Sequence, residues 1–128
     1  MPLPSERQHL GDFGERTARA HLEAKGLRVV DRKFRIREAE IDLVAIDGEQ
    51  AVFVEVRTRR GAYEGMAALS VTRTKQRKLL LAVNHYLEAH PEYALMPLRI
   101  DVVAIELDQD GTLRTIDHIE DAVRPDRR

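Results

Sequence analysis

The chain has 128 residues, 34% of them charged and 43% hydrophobic, with 21 Lys and Arg set against 22 Asp and Glu. That length fits one domain, the hydrophobic share excludes a disordered chain, and no apolar run approaches the roughly 20 residues of a bilayer span. The absence of cysteine excludes a disulfide scaffold and thiolate metal sites. With a start that lacks a signal-like apolar stretch, it points to a cytoplasmic protein.

In chain order, residues 12–25 read as a helix with Gly11 before it and Gly26 as its stop. Ala18 and Leu22 belong to its apolar face, and Glu15 falls on the same face. Leu27 to Ile36 reads as a strand. Glu40 to Ile46 and Ala51 to Arg57 are two more, joined through Asp47-Gly48, a strong hairpin signal. Residues 58–71, with Gly61 and Gly65, read as a mobile loop. A second helix, capped by Thr72 or Thr74, runs to about His90 on a stripe of Leu79, Ala82, Val83, Tyr86 and Leu87. Leu98 to Leu107 is a nearly continuous apolar strand, suited to an interior position. Thr112 to Ile119 forms a final strand, and the tail from Glu120 is expected to fray. The order αβββαββ predicts an α/β domain over residues 11–119, with a mixed sheet flanked by helices, a flexible N-terminus over 1–10 and a tail over 120–128.

A net charge of −1 hides strong local differences. Residues 1–56 carry 9 basic and 11 acidic side chains, residues 57–78 carry 7 and 1, and residues 79–128 carry 5 and 10. A second basic stretch, residues 25–37, holds Lys25, Arg28, Arg32, Lys33, Arg35 and Arg37 against Asp31 alone. Patches of one sign steer charged partners whatever the total.

The hairpin is the most informative stretch. Side chains alternate faces along a strand, so turn length decides which residues meet. A two-residue Asp47-Gly48 turn pairs Ile46 with Glu49, and a four-residue loop pairs Ile46 with Ala51. Both place residues 40, 42, 44 and 46 on one face with 51, 53, 55 and 57, and the second puts Asp42 directly opposite Glu55. The other face is apolar throughout: Ile41, Leu43, Ala45, Val52, Val54 and Val56. Glu40, Asp42, Glu55 and Arg57 then converge at one end of an otherwise apolar face. Like charges so placed need a cation between them, which suits a hard divalent ion such as Mg²⁺. The bland alternative is a buried Asp42–Arg57 ion pair, with Glu40 and Glu55 turned to solvent.

An acid on one strand of a hairpin, followed by Glu-x-Lys or a variant of it on the next, resembles the PD-(D/E)XK nuclease superfamily. The whole chain resembles the small YraN family within it, related in fold to archaeal-type Holliday junction resolvases and restriction endonucleases. The matching stretches run in order: Gly11-x-x-Gly14-Glu15-x-x-Ala18, Glu40-Ile41-Asp42-Leu43, Phe53-Val54-Glu55-Val56-Arg57-x-Arg59, the helix opening at Lys75, and Arg99-Ile100-Asp101-Val102-Val103. The resemblance implies a restriction-endonuclease-like fold and metal-dependent phosphodiester hydrolysis with Mg²⁺ or Mn²⁺. Asp42 and Glu55 match its metal-binding acids, the Val56 carbonyl a further ligand, and Glu15 the first-helix acid of the same site. Ala39 stands where the family usually has Gly. Arg57 stands where the superfamily typically has Lys. Arginine stays protonated, so it cannot act as a base, though it can orient a water through a relay or clamp a phosphate.

Arg73, Lys75, Arg77 and Lys78 crowd the start of the second helix, where the macrodipole disfavours cations and free N–H groups favour phosphate. A solvated basic turn that tolerates this cost is the plainer reading. Lys75, one turn before Leu79, points most nearly toward the sheet and is the preferred phosphate contact; Arg59 and Arg60 can extend the surface. Arg99 and Asp101 read as a structural ion pair, and all five histidines as surface or cap residues. The leading expectation is a DNA-processing enzyme, with branched DNA as one candidate substrate. A non-cleaving nucleic-acid-binding module is the alternative and a protein-interaction subunit a weaker one. A homodimer is compatible with each.

Overall fold

The computed structural model describes residues 6–61 and 64–124. Helix α1 (Glu6–Ala24) leads into β1 (Arg28–Arg35), β2 (Glu40–Asp47) and β3 (Gln50–Arg60). A short helix α2 (Met66–Leu69) and a long helix α3 (Arg73–Ala89) follow. A 3₁₀ turn over Pro91–Tyr93 then leads into β4 (Leu98–Leu107) and β5 (Leu113–Val123). The strands lie in the order β1-β2-β3-β4-β5 in one mixed sheet, in which β3 and β4 are parallel and all other neighbours antiparallel. This is the expected α/β arrangement, and it is consistent with a restriction-endonuclease-like fold. No helix among the described residues is long and apolar enough to cross a membrane.

Strand alternation distributes the core over two faces. Leu43, Ala45, Val52, Val54, Val103 and Ile105 pack with Ala18 and Leu22 of α1. Val44, Ala51, Phe53 and Ile100 pack with Leu79, Ala82, Val83 and Tyr86 of α3. The long apolar β4 is buried from Ile100 to Leu107, as its composition requires of a strand covered on both sides. Thr72 caps α3 by accepting from the Lys75 N–H at 3.3 Å. Tyr86 anchors the helix to the sheet, with its ring edge-on to Phe34 and Phe53 and its hydroxyl donating to Asp31 at 3.0 Å. At position 14 the approach of α1 to β3 leaves room only for glycine, since a Cβ there would meet Thr58 Oγ1 at 2.0 Å.

Several local expectations are corrected. Helix α1 covers Glu6–Ala24, so Glu6–Leu10, expected in the N-terminal stretch before the domain, are helical, while residues 1–5 lie outside the described ones. Within the stretch read as a loop, residues 58–60 continue β3 and Met66–Leu69 form α2. A buried side chain organises that segment: Glu106 accepts from the N–H groups of Gly65 at 2.7 Å and Ala67 at 3.4 Å. Residues 62 and 63 lie outside the described ones. The tail does not fray at Glu120; β5 reaches Val123, whose side chain is buried, while residues 125–128 are not described. The extension depends on Asp121, which takes φ 54 and donates its N–H to Asp101 Oδ1 at 2.9 Å.

The turn of the β2–β3 hairpin is Gly48-Glu49, with Asp47 facing Gln50 and Ile46 facing Ala51. That register carries Asp42 to the position opposite Glu55. Face alternation nevertheless breaks there. Ile41, expected beside Leu43 and Ala45, lies in the α3-side core. The cause stands on β1. Arg32 faces Leu43 and Phe34 faces Ile41, so Lys33 falls opposite Asp42, and its backbone is left-handed at φ 54. For a residue with a side chain this conformation costs about 1–2 kcal/mol. The twist rolls the strand pair at Asp42.

Candidate functional site

That roll decides what Asp42 touches. Its Oδ2 accepts from the Val56 N–H at 2.7 Å, where the β2–β3 backbone ladder has ended. Glu55 is its acidic neighbour across the hairpin, close enough to act on its carboxyl. Burial first, and then Glu55, push the Asp42 carboxyl well above the ordinary carboxylate range; the Val56 N–H opposes this and Glu40 adds to it.

The two other acids of the expected cluster are engaged elsewhere. Glu40 is held on β1 by Arg35, through Nη2 at 2.6 Å and Nε at 3.0 Å. Glu15, buried on α1, accepts from Arg32 Nε at 2.7 Å and lies 3.8 Å from Lys33 Nζ. It lines the same cleft as Asp42 without joining the acid pair. Among the described residues no group of three or more His, Cys, Asp or Glu is placed to hold a metal ion together. The oxygen donors brought together are those of Asp42 and Glu55 beside the backbone of Val56.

Arg57 does not pair with Asp42. Its Nη1 lies 3.8 Å from Glu55 Oε2, and its Nε donates to Ser70 Oγ at 2.8 Å. Ser70 in turn donates to Ala67 O at 2.5 Å, so the guanidinium is braced against α2. Ser70 carried no signal in the sequence, because its partner lies across a loop.

The cleft that Asp42 lines has a volume of about 930 Å³, and Glu55 lines the groove that adjoins it. Arg7, Lys33, Arg35, Arg57, Arg59 and Lys75 line it against Asp12, Glu15, Glu40 and Asp42. Cations thus outnumber acids in the cleft that Asp42 lines. The ammonium of Lys75 makes no ion pair with any described residue, and the Arg57 charge, followed by desolvation and Arg59, lowers its pKa. Burial, Arg57 and Arg7 likewise lower that of Arg59, whose Nη1 donates to Thr58 O at 2.9 Å.

The expected basic residues divide. Lys75 and Arg59 line the main cleft, and Lys78 lines an adjoining groove with Asp42, Glu55 and Lys75. Arg73 and Arg77 line neither, and Arg77 bonds Thr74 at 3.4 Å. Arg60 points away, to Gln109 O at 2.8 Å and Glu6 at 3.3 Å. Arg7, Lys33 and Arg35 were not anticipated. Arg7 precedes Gly11 and Glu15 at spacings of four and eight, one helix face once α1 is known to begin at Glu6.

Asp101 and His118 correct the reading of the histidines. The expected Arg99–Asp101 pair is present, with Nε 3.1 Å from Oδ1. His118, far from being a surface residue, has a side chain 2% exposed, with Nε2 2.7 Å from Asp101 Oδ2. Lys25 Nζ lies 2.6 Å from Nδ1. An ammonium can only donate, so Nδ1 accepts and Nε2 carries its proton toward Asp101. Neither side chain lines the cleft.

Comparison with known proteins agrees along most of the length. The chain is 41% identical over 124 residues to a UPF0102 protein of Chloroflexus aurantiacus, covering 97% of this chain and all of that one. It is 43% identical over 121 residues to one of Roseiflexus castenholzii, covering 94% and 98%. With one of Xanthomonas campestris pv. campestris it shares 45% over 124 residues, covering 97% and 98%. The profile of the uncharacterised protein family UPF0102 matches residues 14–105, which include Glu15, Asp42, Glu55, Arg57 and Lys75. The chain belongs to the UPF0102 family.

Proposed function

We propose that the protein is a metal-dependent phosphodiesterase of the PD-(D/E)XK kind that acts on DNA. The observation that carries this reading is the facing of Asp42 and Glu55, two half-buried carboxyl groups, Asp42 lining the cation-rimmed cleft and both lining the groove that adjoins it. Two carboxyl groups so close must share a proton or bind a cation. Their oxygen donors, with the Val56 carbonyl, suit Mg²⁺ or Mn²⁺. Such an ion supplies a Lewis acid for the phosphate and lowers the pKa of a water.

The chain's own residues account for the remaining work. Lys75 and Arg59 attract and hold the phosphodiester backbone. Arg57, braced by Ser70, presents a fixed and permanently charged fork to the scissile phosphate. Glu15, held by Arg32 and Lys33, keeps those two cations oriented along the α1 wall. The test is Mg²⁺- or Mn²⁺-dependent cutting of branched, flapped and linear DNA by the wild type and Asp42→Ala. Loss of cutting in the variant is expected, and equal activity in both rules the assignment out.

One observation favours a second reading, a nucleic-acid-binding module that does not cleave. Arg57 cannot take up a proton, and its Nε is committed to Ser70. In that case affinity falls steeply with salt while no substrate is cut with either ion.

A further inference from the structure

The basic stretch at residues 25–37 has little part in the chemistry above, yet the fold gathers part of it against α1. Beside the main cleft lies a smaller groove of about 360 Å³, where Arg16, Arg19, Arg32 and Lys33 stand against Asp12 and Glu15. The two share Asp12, Glu15 and Lys33. On the α3 side, the groove that contains Lys75 and Lys78 shares Asp42 with the main cleft. The three form one trough across the end of the sheet, and Asp42 and Glu55 lie between two sets of cations.

Lys33 stands at the junction, in the left-handed conformation that glycine or asparagine adopts more cheaply. Its contacts do not repay that cost. Nζ lies 3.5 Å from Asp12 and 3.8 Å from Glu15, and the lysine side chain is 41% exposed, so these are weak surface pairs. That conformation also rolls the strand pair at Asp42, so what points to a ligand is the exposed and weakly paired cation that stands where the two grooves meet.

We propose that Arg16, Arg19, Arg32 and Lys33 form a second phosphate-binding track, which holds the nucleic-acid backbone on the α1 side while Lys75 and Lys78 hold it on the α3 side. This rests on the nucleic-acid reading of the site. An acidic protein would meet the same cations, but the residues that the groove shares with the cleft of Asp42 favour one continuous phosphodiester backbone.

The test uses the full chain without divalent ions and a fluorescent 20-base-pair duplex, read by anisotropy across a salt series. The double variant Arg16→Glu, Arg19→Glu is expected to bind about 10-fold or more weakly, with a shallower salt dependence. Lys33→Gly is expected to lose affinity several-fold while its melting temperature holds or rises. A lysine with a purely structural role would not separate those two readouts. Wild-type affinity in both variants, with Lys75→Ala weakened, overturns the second track and leaves the proposed function standing. Absence of salt-sensitive binding by the wild type overturns the DNA reading and the track together. Displacement of the duplex more readily by polyglutamate than by unlabelled duplex overturns the track in favour of an acidic protein.

Discussion

Gly14 of α1 lies directly against Thr58 of β3, so close that a Cβ on the glycine would stand 2.0 Å from Thr58 Oγ1 and 3.2 Å from its Cβ. The residue after Gly14 is Glu15, so this approach also seats the first-helix acid on the cleft wall. Gly14→Ala is expected to destabilise the fold by about 1–3 kcal/mol, since the Thr58 side chain must give way to the new Cβ. Thr58→Ala removes the nearer atom and should recover about 1 kcal/mol of that loss, read as the coupling in a double-mutant cycle by urea denaturation.

Asp42 makes the metal-free protein sensitive to pH in a defined direction. Its folded pKa is raised above its unfolded value, so the contribution is fully present below about pH 4 and is lost as pH rises toward the folded value. Asp42→Asn keeps an acceptor for the Val56 N–H and removes the titration. At pH 8 it should be more stable than the wild type by on the order of 2 kcal/mol, with the gap closing toward pH 4. Thermal melts in chelator across that range check the prediction.

Excess Mg²⁺ or Mn²⁺ should act against this penalty. With the ion in place of the shared proton, the wild type gains melting temperature and Asp42→Asn does not. Binding should tighten as pH rises, because a proton is released, and calorimetry in buffers of different ionisation enthalpy counts it.

Asp101 provides a control that lines neither the cleft nor the groove beside it. Its buried carboxylate receives Arg99 Nε at 3.1 Å, the Asp121 N–H at 2.9 Å and His118 at 2.7 Å. Asp101→Ala leaves buried donors unmatched and should cost about 3–5 kcal/mol. The metal-induced rise in melting temperature should persist in the molecules that remain folded; its loss would link this network to the site.

Lys75 and Arg77 differ by two residues on α3, yet only Lys75 enters the cleft. Lys75→Ala should lower DNA affinity and reduce the slope of log K against log salt by about 1. Arg77→Ala should change both much less. Equal effects would mean that binding follows net charge rather than the cleft.

The sequence made the strands, α3 and the Asp42–Glu55 opposition legible because each rests on local rules. Leu98–Leu107 was bounded by its apolar run, and an even hairpin turn puts 42 and 55 on one face. What failed depended on distant partners. Nothing near Asp121 announces that its N–H will be taken by Asp101, beyond the point where the tail was expected to fray. Glu40 and Glu15 looked available because Arg35 and Arg32 engage them from β1, a neighbouring strand that pattern alone does not orient. Ile41 was assigned to the wrong face because alternation assumes an unbroken strand, and Lys33 breaks it.

The single parallel pairing in the sheet also governs when the site can exist. Ala51 meets Leu98 only after all of α2 and α3 has been threaded between the two strands. Closing so long a loop carries an entropic cost that the short β2–β3 hairpin does not. The hairpin can therefore bring Asp42 near Glu55 early, at a stage when Ser70 and Lys75 are not yet docked. A nascent or partly unfolded chain would carry the acids with Arg57 unbraced and Lys75 not yet in place, so the α3 side of the cleft should be completed only with the last cooperative step of folding.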